Sequence, residues 1–139
     1  MILTILSLVL VVNAWYNFNK QYLQPVAKEY NDVRKFIESK YQEGIDTVYF
    51  IRPSEDFFVK QYNITRSWDE FGVPSTFFEW TPEFLVRQVI LEKTGKREIA
   101  EKLSIKSWPG EENYKISVPV TDTLSSKKMV VNVGEILSK

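Results

Sequence analysis

Residues 46–53 read "DTVYFIRP", and how this stretch folds decides the architecture of the chain. Thr47 to Ile51 is an unbroken β-branched and aromatic run, with Gly44 just before it and Pro53 just after. Such a run without polar alternation predicts a strand covered on both faces, as in the sheets of α/β proteins. Upstream, Tyr22, Val26, Tyr30, Val33, Ile37 and Tyr41 recur at spacings of three and four. That spacing predicts an amphipathic helix over 25–43, with Pro25 at its start and Gly44 past its end. Lys28, Glu29, Asp32, Arg34, Lys35, Glu38 and Lys40 are read as its outward face.

Downstream, "SEDFFVKQY" (54–62) predicts a short helix capped by Ser54, with Glu55 and Asp56 in its first turn. Open α/β sheets bind ligands at such strand ends, so Arg52, Ser54, Glu55 and Asp56 form a first candidate cluster. A capped helix with solvated charges is the plainer reading of the same residues. Thr81-Pro82-Glu83 predicts the start of a helix over 82–94 that Gly95 stops, and "KREIAEKL" (96–103) a second short helix. "WPGEEN" (108–113) has the chemistry of a turn. "YKISVPV" (114–120) and "KKMVVNV" (127–133) are read as strands, paired as a hairpin or as neighbours, with Pro119 pushing the first toward a sheet edge. The expected fold is a small layered α/β domain, with strands 46–52, 114–120 and 128–133 in a short mixed sheet covered by helices.

The segment "SWDEFGVPSTFFEWTPEF" (67–84) concentrates two Trp, four Phe and four carboxylates around one Gly and two Pro. Carboxylates beside aromatic rings suit a sugar site, with acids for hydroxyls and ring faces for the apolar side of a pyranose. Trp68, Asp69, Glu70 and Trp80 are therefore candidate ligand-binding residues, together with Arg52, Glu55 and Asp56. The competing reading is a connection pinned to its own core by large side chains. A glycosidase needs two carboxyls at a defined separation, which spacing along a chain does not supply.

The sequence holds neither Cys nor His. Thiol nucleophiles, disulfides, thiolate or imidazole metal ligands and every Ser-His or Cys-His device are thereby excluded within this chain. Eighteen basic residues balance eighteen acidic ones, and neither half is polarised, so the electrostatic footprint of a nucleic-acid binder is missing. No glycine-rich phosphate loop, calcium-type carboxylate array or nucleophile motif is present. No catalytic residue, metal ligand or cofactor is assigned.

The chain opens with "MILTILSLVLVV", twelve uncharged residues, followed by Asn13-Ala14-Trp15-Tyr16. As a helix, twelve residues reach about 18 Å, short of a hydrocarbon core of about 30 Å. One reading makes residues 1–14 the end of a transmembrane helix, with Trp15 and Tyr16 as its interfacial aromatics. A second makes them a signal peptide, which fits the apolar length and the small residue at Ala14 but lacks a basic start. A third buries them in a soluble core. Few basic residues follow the run, which favours an extracytoplasmic location for a domain over 15–139, either membrane-associated or secreted.

The order "NAWYN" (13–17), "EYNDVRKFIESK" (29–40), "IDTVYFIRPSED" (45–56), "DEFGVPST" (69–76) and "MVVNVGEIL" (129–137) resembles the C-terminal extracytoplasmic domain of bacterial polytopic membrane proteins of the glycosyltransferase type. The resemblance spans nearly the whole chain, with "DEFG.PST" its most specific piece. In such proteins the catalytic acids lie in loops between membrane helices, so the resemblance carries no catalytic residue onto this sequence. It implies a non-catalytic accessory domain that recognises a glycan or packs on the membrane part. The alternatives are a secreted carboxylate-dependent glycan hydrolase and a plain protein-interaction module.

Overall fold

The computed structural model describes residues 2–64, 72–119 and 127–139. Its centre is strand β1 (Thr47–Arg52), whose residues Val48 to Ile51 are all buried. Alternate side chains serve two cores, as the period of two requires: Val48 and Phe50 enter the larger, Tyr49 and Ile51 the smaller. Strands β2 (Ser104–Pro109) and β3 (Lys128–Asn132) flank β1 and both run parallel to it, giving the order β2-β1-β3. Tyr49 stands opposite Lys106 on one side and Val130 on the other. The α/β class holds, but the sheet among the described residues is wholly parallel rather than mixed.

Helices α2 (Gln24–Lys40) and α4 (Thr81–Thr94) cover the larger core through Val33, Ile37, Val86, Val89 and Ile90, all fully buried. Phe58 from α3 (Phe57–Tyr62), Ala100 from α5 (Arg97–Lys102) and Leu137 from α7 (Val133–Leu137) complete it. On the opposite face α6 (Glu111–Ser117) lays Tyr114 over Tyr49, with Val118 and Trp108 beside them. Residues 114–117 are thus helical and not the expected strand, and no hairpin joins them to β3. Gly110 adopts φ +83° ahead of the helix, and Glu111 and Glu112 fill its first turn, so "PGEE" marks a helix start rather than a turn. Tyr114 and Val118 are buried four residues apart while Ile116 is 85% exposed, the reverse of strand alternation. The expected cap at Ser54 is also displaced: α3 begins at Phe57, whose N–H donates to the Ser54 carbonyl oxygen (3.1 Å).

The chain enters this domain along a helix. α1 (Ile2–Phe18) passes through a π-helical turn (Asn19–Leu23) directly into α2, running past Ala14 without a break. Pro25 supplies the reason for the turn. A proline inside a helix collides with the carbonyl four residues earlier and has no N–H to offer it. Widening the preceding turn, so that the Gln24 N–H donates to the Asn19 oxygen, relieves that collision without ending the helix.

α1 is exposed along its full described length, with Leu3 at 79% and Val11 at 66%. The reading that buries this run in a soluble core is therefore overturned. No helix among the described residues is long and apolar enough to cross a membrane. At seventeen residues α1 is about 26 Å long.

Candidate functional site

The connections after β1 and β2 leave toward opposite faces of the sheet, one to α3 and the other to α6. Divergence of this kind opens a crevice at the carboxyl edge of a parallel sheet. A cleft of about 750 Å³ lies there, walled by Arg52, Ser54 and Phe57, by Gly110 and Glu111, and by Asn132 and Glu135. The Gly110 N–H donates to the Arg52 carbonyl oxygen (3.2 Å), closing the cleft floor between β1 and β2. Asn132 Oδ1 accepts from the Glu135 N–H (3.4 Å) and so starts α7 at the third wall.

The charges of this edge are largely committed. Glu111 pairs with Lys115 (2.6 Å), which with a bond from Asn132 holds its carboxyl below the usual carboxylate range. Asp56 pairs with Lys60 (2.7 Å) and takes a further bond from Ser54, and its carboxyl is lowered in the same way. Acids depressed by cationic partners stay ionised at neutral pH, which suits accepting hydrogen bonds and not donating a proton. Arg52 is held otherwise: its Nη1 donates to the Phe77 carbonyl oxygen (2.8 Å), while its Nε is buried with no hydrogen-bond partner among the described residues.

Of the residues expected from sequence, the structure places Arg52 in the cleft wall together with Ser54. Glu55 and Asp56 follow in the next turn and do not line the cleft. Trp80 stands elsewhere, 61% exposed at the start of α4 and stacked on Phe78 with ring centroids 4.8 Å apart. Trp68, Asp69 and Glu70 lie outside the described residues. Glu111, Asn132 and Glu135 were missed, because a parallel β3 is what carries two of them to the cleft.

The aromatic segment is fixed by a residue expected on the surface. Glu29 is fully buried, and its carboxylate accepts from the Ser75 N–H (2.9 Å) and hydroxyl (3.0 Å), the Thr76 N–H (2.8 Å) and the Thr76 hydroxyl. A buried carboxylate is tolerated when its oxygens are satisfied in this way. The spacing Val26, Glu29, Val33, Ile37 was the available signal, since it sets Glu29 on the apolar stripe of α2. The described part of the segment before α4, from Gly72 to Trp80, is a connection pinned at its middle, by Glu29 at Ser75 and Thr76 and by Arg52 at Phe77.

Among the described residues no group of three or more Asp or Glu converges to hold a metal ion. No protein-family model matches the chain, and neither a curated protein nor a solved structure matches it significantly.

Proposed function

We propose that this chain is a membrane-associated accessory domain without catalysis of its own, anchored through α1 and carrying a recognition cleft at the carboxyl edge of its sheet. The observation that carries this reading is α1 itself. A helix apolar on all sides belongs in a hydrophobic surrounding, yet α1 is exposed along its length and meets none among the described residues. Leaving a run such as Leu3 to Val12 in water costs several kcal/mol in total, at about 25 cal/mol per Å² of apolar surface. A lipid acyl region is the surrounding that removes this cost, and Trp15 and Tyr16 then fall at its polar boundary. The helix runs on from α1 through the π-helical turn into α2 and so joins the anchor to the domain without a break.

The resemblance to extracytoplasmic domains of membrane glycosyltransferase-type proteins supports the same reading and adds a ligand class. Arg52, Ser54, Asn132, Glu111 and Glu135 line the cleft, and a sugar hydroxyl entering it would exchange bonds with groups of both donor and acceptor type.

Vesicle flotation tests the anchor. The full chain is expected to float with phosphatidylcholine vesicles, and a Leu6→Asp, Val9→Asp double variant to remain at the bottom. Equal recovery of both in the lipid-free fraction overturns the membrane reading. Titration with a panel of glycans, followed by amide shifts at Ser54 and Asn132, tests the cleft; no shift with any glycan leaves the interaction module as the better account.

A further inference from the structure

We infer that the cleft at the carboxyl edge of the sheet opens toward the bilayer and takes a glycan carried by a lipid of the same membrane, not one free in solution. The inference rests on the readings of α1 as the anchor and of the cleft as a glycan site.

The order of the chain fixes which way the sheet points. α2 continues the helix of α1 and leads away from the anchor, and the chain turns back after Lys40 to enter β1 at Thr47. Contacts at both ends place β1 alongside α2 and opposite to it in direction. At the end far from the anchor, Tyr41 caps α2 and lies with Ile45, Asp46 and Leu103 around one pocket, where the Ser104 N–H donates to the Asp46 carbonyl oxygen (2.8 Å). At the near end, Glu29 of α2 and Arg52 of β1 hold the same turn. Glu29 accepts from the N–H groups of Ser75 (2.9 Å) and Thr76 (2.8 Å), and Arg52 donates to the Phe77 carbonyl oxygen (2.8 Å). The lengths agree, since Glu29 to Tyr41 is about 18 Å of helix and Thr47 to Arg52 about 16–17 Å of strand. Both β2 and β3 are parallel to β1, so all three strands end on the anchor side of the domain. The cleft lies at those ends, walled by Ser54, Asn132 and Glu135. A sheet running the other way would have turned it to bulk solvent.

Height above the membrane selects the ligand. With Trp15 and Tyr16 at the hydrocarbon boundary, Glu29 stands about 20 Å further along the helix at 1.5 Å per residue. Headgroups occupy about 5–7 Å of that distance, leaving a gap of about 13–15 Å below the carboxyl edge. A phosphocholine headgroup stays within its own layer and does not reach the cleft. A saccharide of several units rising from its lipid crosses the gap and presents its outer sugars at the mouth. Sharing one bilayer with α1 also raises the effective concentration of such a ligand, an advantage that a free glycan lacks.

The cysteine-free sequence allows single labels. Glu55→Cys beside the carboxyl edge and Lys102→Cys at the amino edge are each introduced into the full chain, labelled with a donor dye and reconstituted into phosphatidylcholine vesicles containing a headgroup-linked acceptor. Energy transfer stronger from 55 than from 102 is expected; equal or reversed transfer overturns the orientation and leaves the glycan reading standing. A panel of glycans is then presented to the vesicles both free and attached to a lipid, with the dye at 55 reporting binding. Half-saturation at a several-fold lower concentration for the lipid-carried form, with no response to lipids bearing one sugar, is the expected result. Equal half-saturation for the two forms overturns the inference and leaves a site for soluble glycans. A response to single-sugar lipids overturns the assigned height and with it the selection of longer saccharides. No response to either form overturns the glycan reading itself.

Discussion

The Glu29 carboxylate receives the Thr76 N–H at 2.8 Å across 47 positions of sequence, both residues being buried. One side chain on α2 thereby supplies the acceptors that the start of the Ser75–Phe77 turn lacks. Removing it leaves two N–H groups and two hydroxyls without their acceptor, each costing about 1–3 kcal/mol where water does not enter. Glu29→Ala is expected to lower stability by about 3–5 kcal/mol, and Thr76→Val by about 1–2 kcal/mol, in urea titrations of the full chain in mild detergent. In a double-mutant cycle the two effects fall short of additivity by at least about 0.5 kcal/mol. Strict additivity contradicts a direct bond.

Sequence patterns exposed the parts of the fold whose neighbours are apolar on both sides. β1, β3, α2 and α4 could be read because continuous or three-and-four spaced apolar residues meet a core there. β2 escaped because "SIKSWP" lies at a sheet edge, where Ser104, Lys106 and Pro109 are exposed. α6 was mistaken for a strand because Tyr114, Ile116 and Val118 alternate, although only the first and last are buried. The cleft was half visible: the end of β1 nominated Arg52, but strand order brought Asn132 and Glu135 to it. Glu29 was taken for a solvated charge because its residue type outweighed its position on the apolar stripe.

Arg52 joins the end of β1 to the aromatic segment through one bond to Phe77. Arg52→Met keeps the apolar stem and removes the guanidinium. The expected cost is about 1.5–3 kcal/mol, the range for a hydrogen bond made by a charged group. Hydrogen exchange locates the change: the amides of Phe78 and Thr81, which donate to Ser75 and Phe78, should exchange several-fold faster than in the unsubstituted chain. Val89 and Ile90 in the centre of α4 should change only with global stability. Uniform acceleration across both regions would show that the bond does not hold the segment in particular.

Tyr41 and Tyr62 set an alkaline limit. Burial is the main cause that pushes both phenols above their ordinary value of 10.0, aided by Glu43 at Tyr41 and by Asp32 and Glu29 at Tyr62, where Lys28 opposes it. The folded state then holds these protons more tightly than the unfolded chain. Their contribution is complete below the unfolded value near 10 and is lost as pH rises through the folded values. Unfolding free energy should therefore fall above about pH 10. The Tyr62 hydroxyl is buried without a hydrogen-bond partner among the described residues, so Tyr62→Phe should leave neutral stability within about 1 kcal/mol and flatten the alkaline slope. A steeper slope in that variant would mean that the folded state holds the Tyr62 proton less tightly than the unfolded chain does.

The π-helical turn sets the angle at which α1 leaves the domain. Pro25→Ala restores a backbone N–H at position 25 that can donate to the Gln21 carbonyl, and the turn is expected to relax to ordinary α-helix. Losing the extra residue of a π turn turns α1 by about 100° relative to α2, at 3.6 residues per turn. The helix itself gains stability, since proline in a helix interior is disfavoured by about 3 kcal/mol. Spin labels at Leu8→Cys and Glu98→Cys should report a changed distance distribution between the two forms, while the urea midpoint rises. An unchanged distribution with higher stability would place the cause of the π turn elsewhere, in the packing of Tyr22 against Phe18.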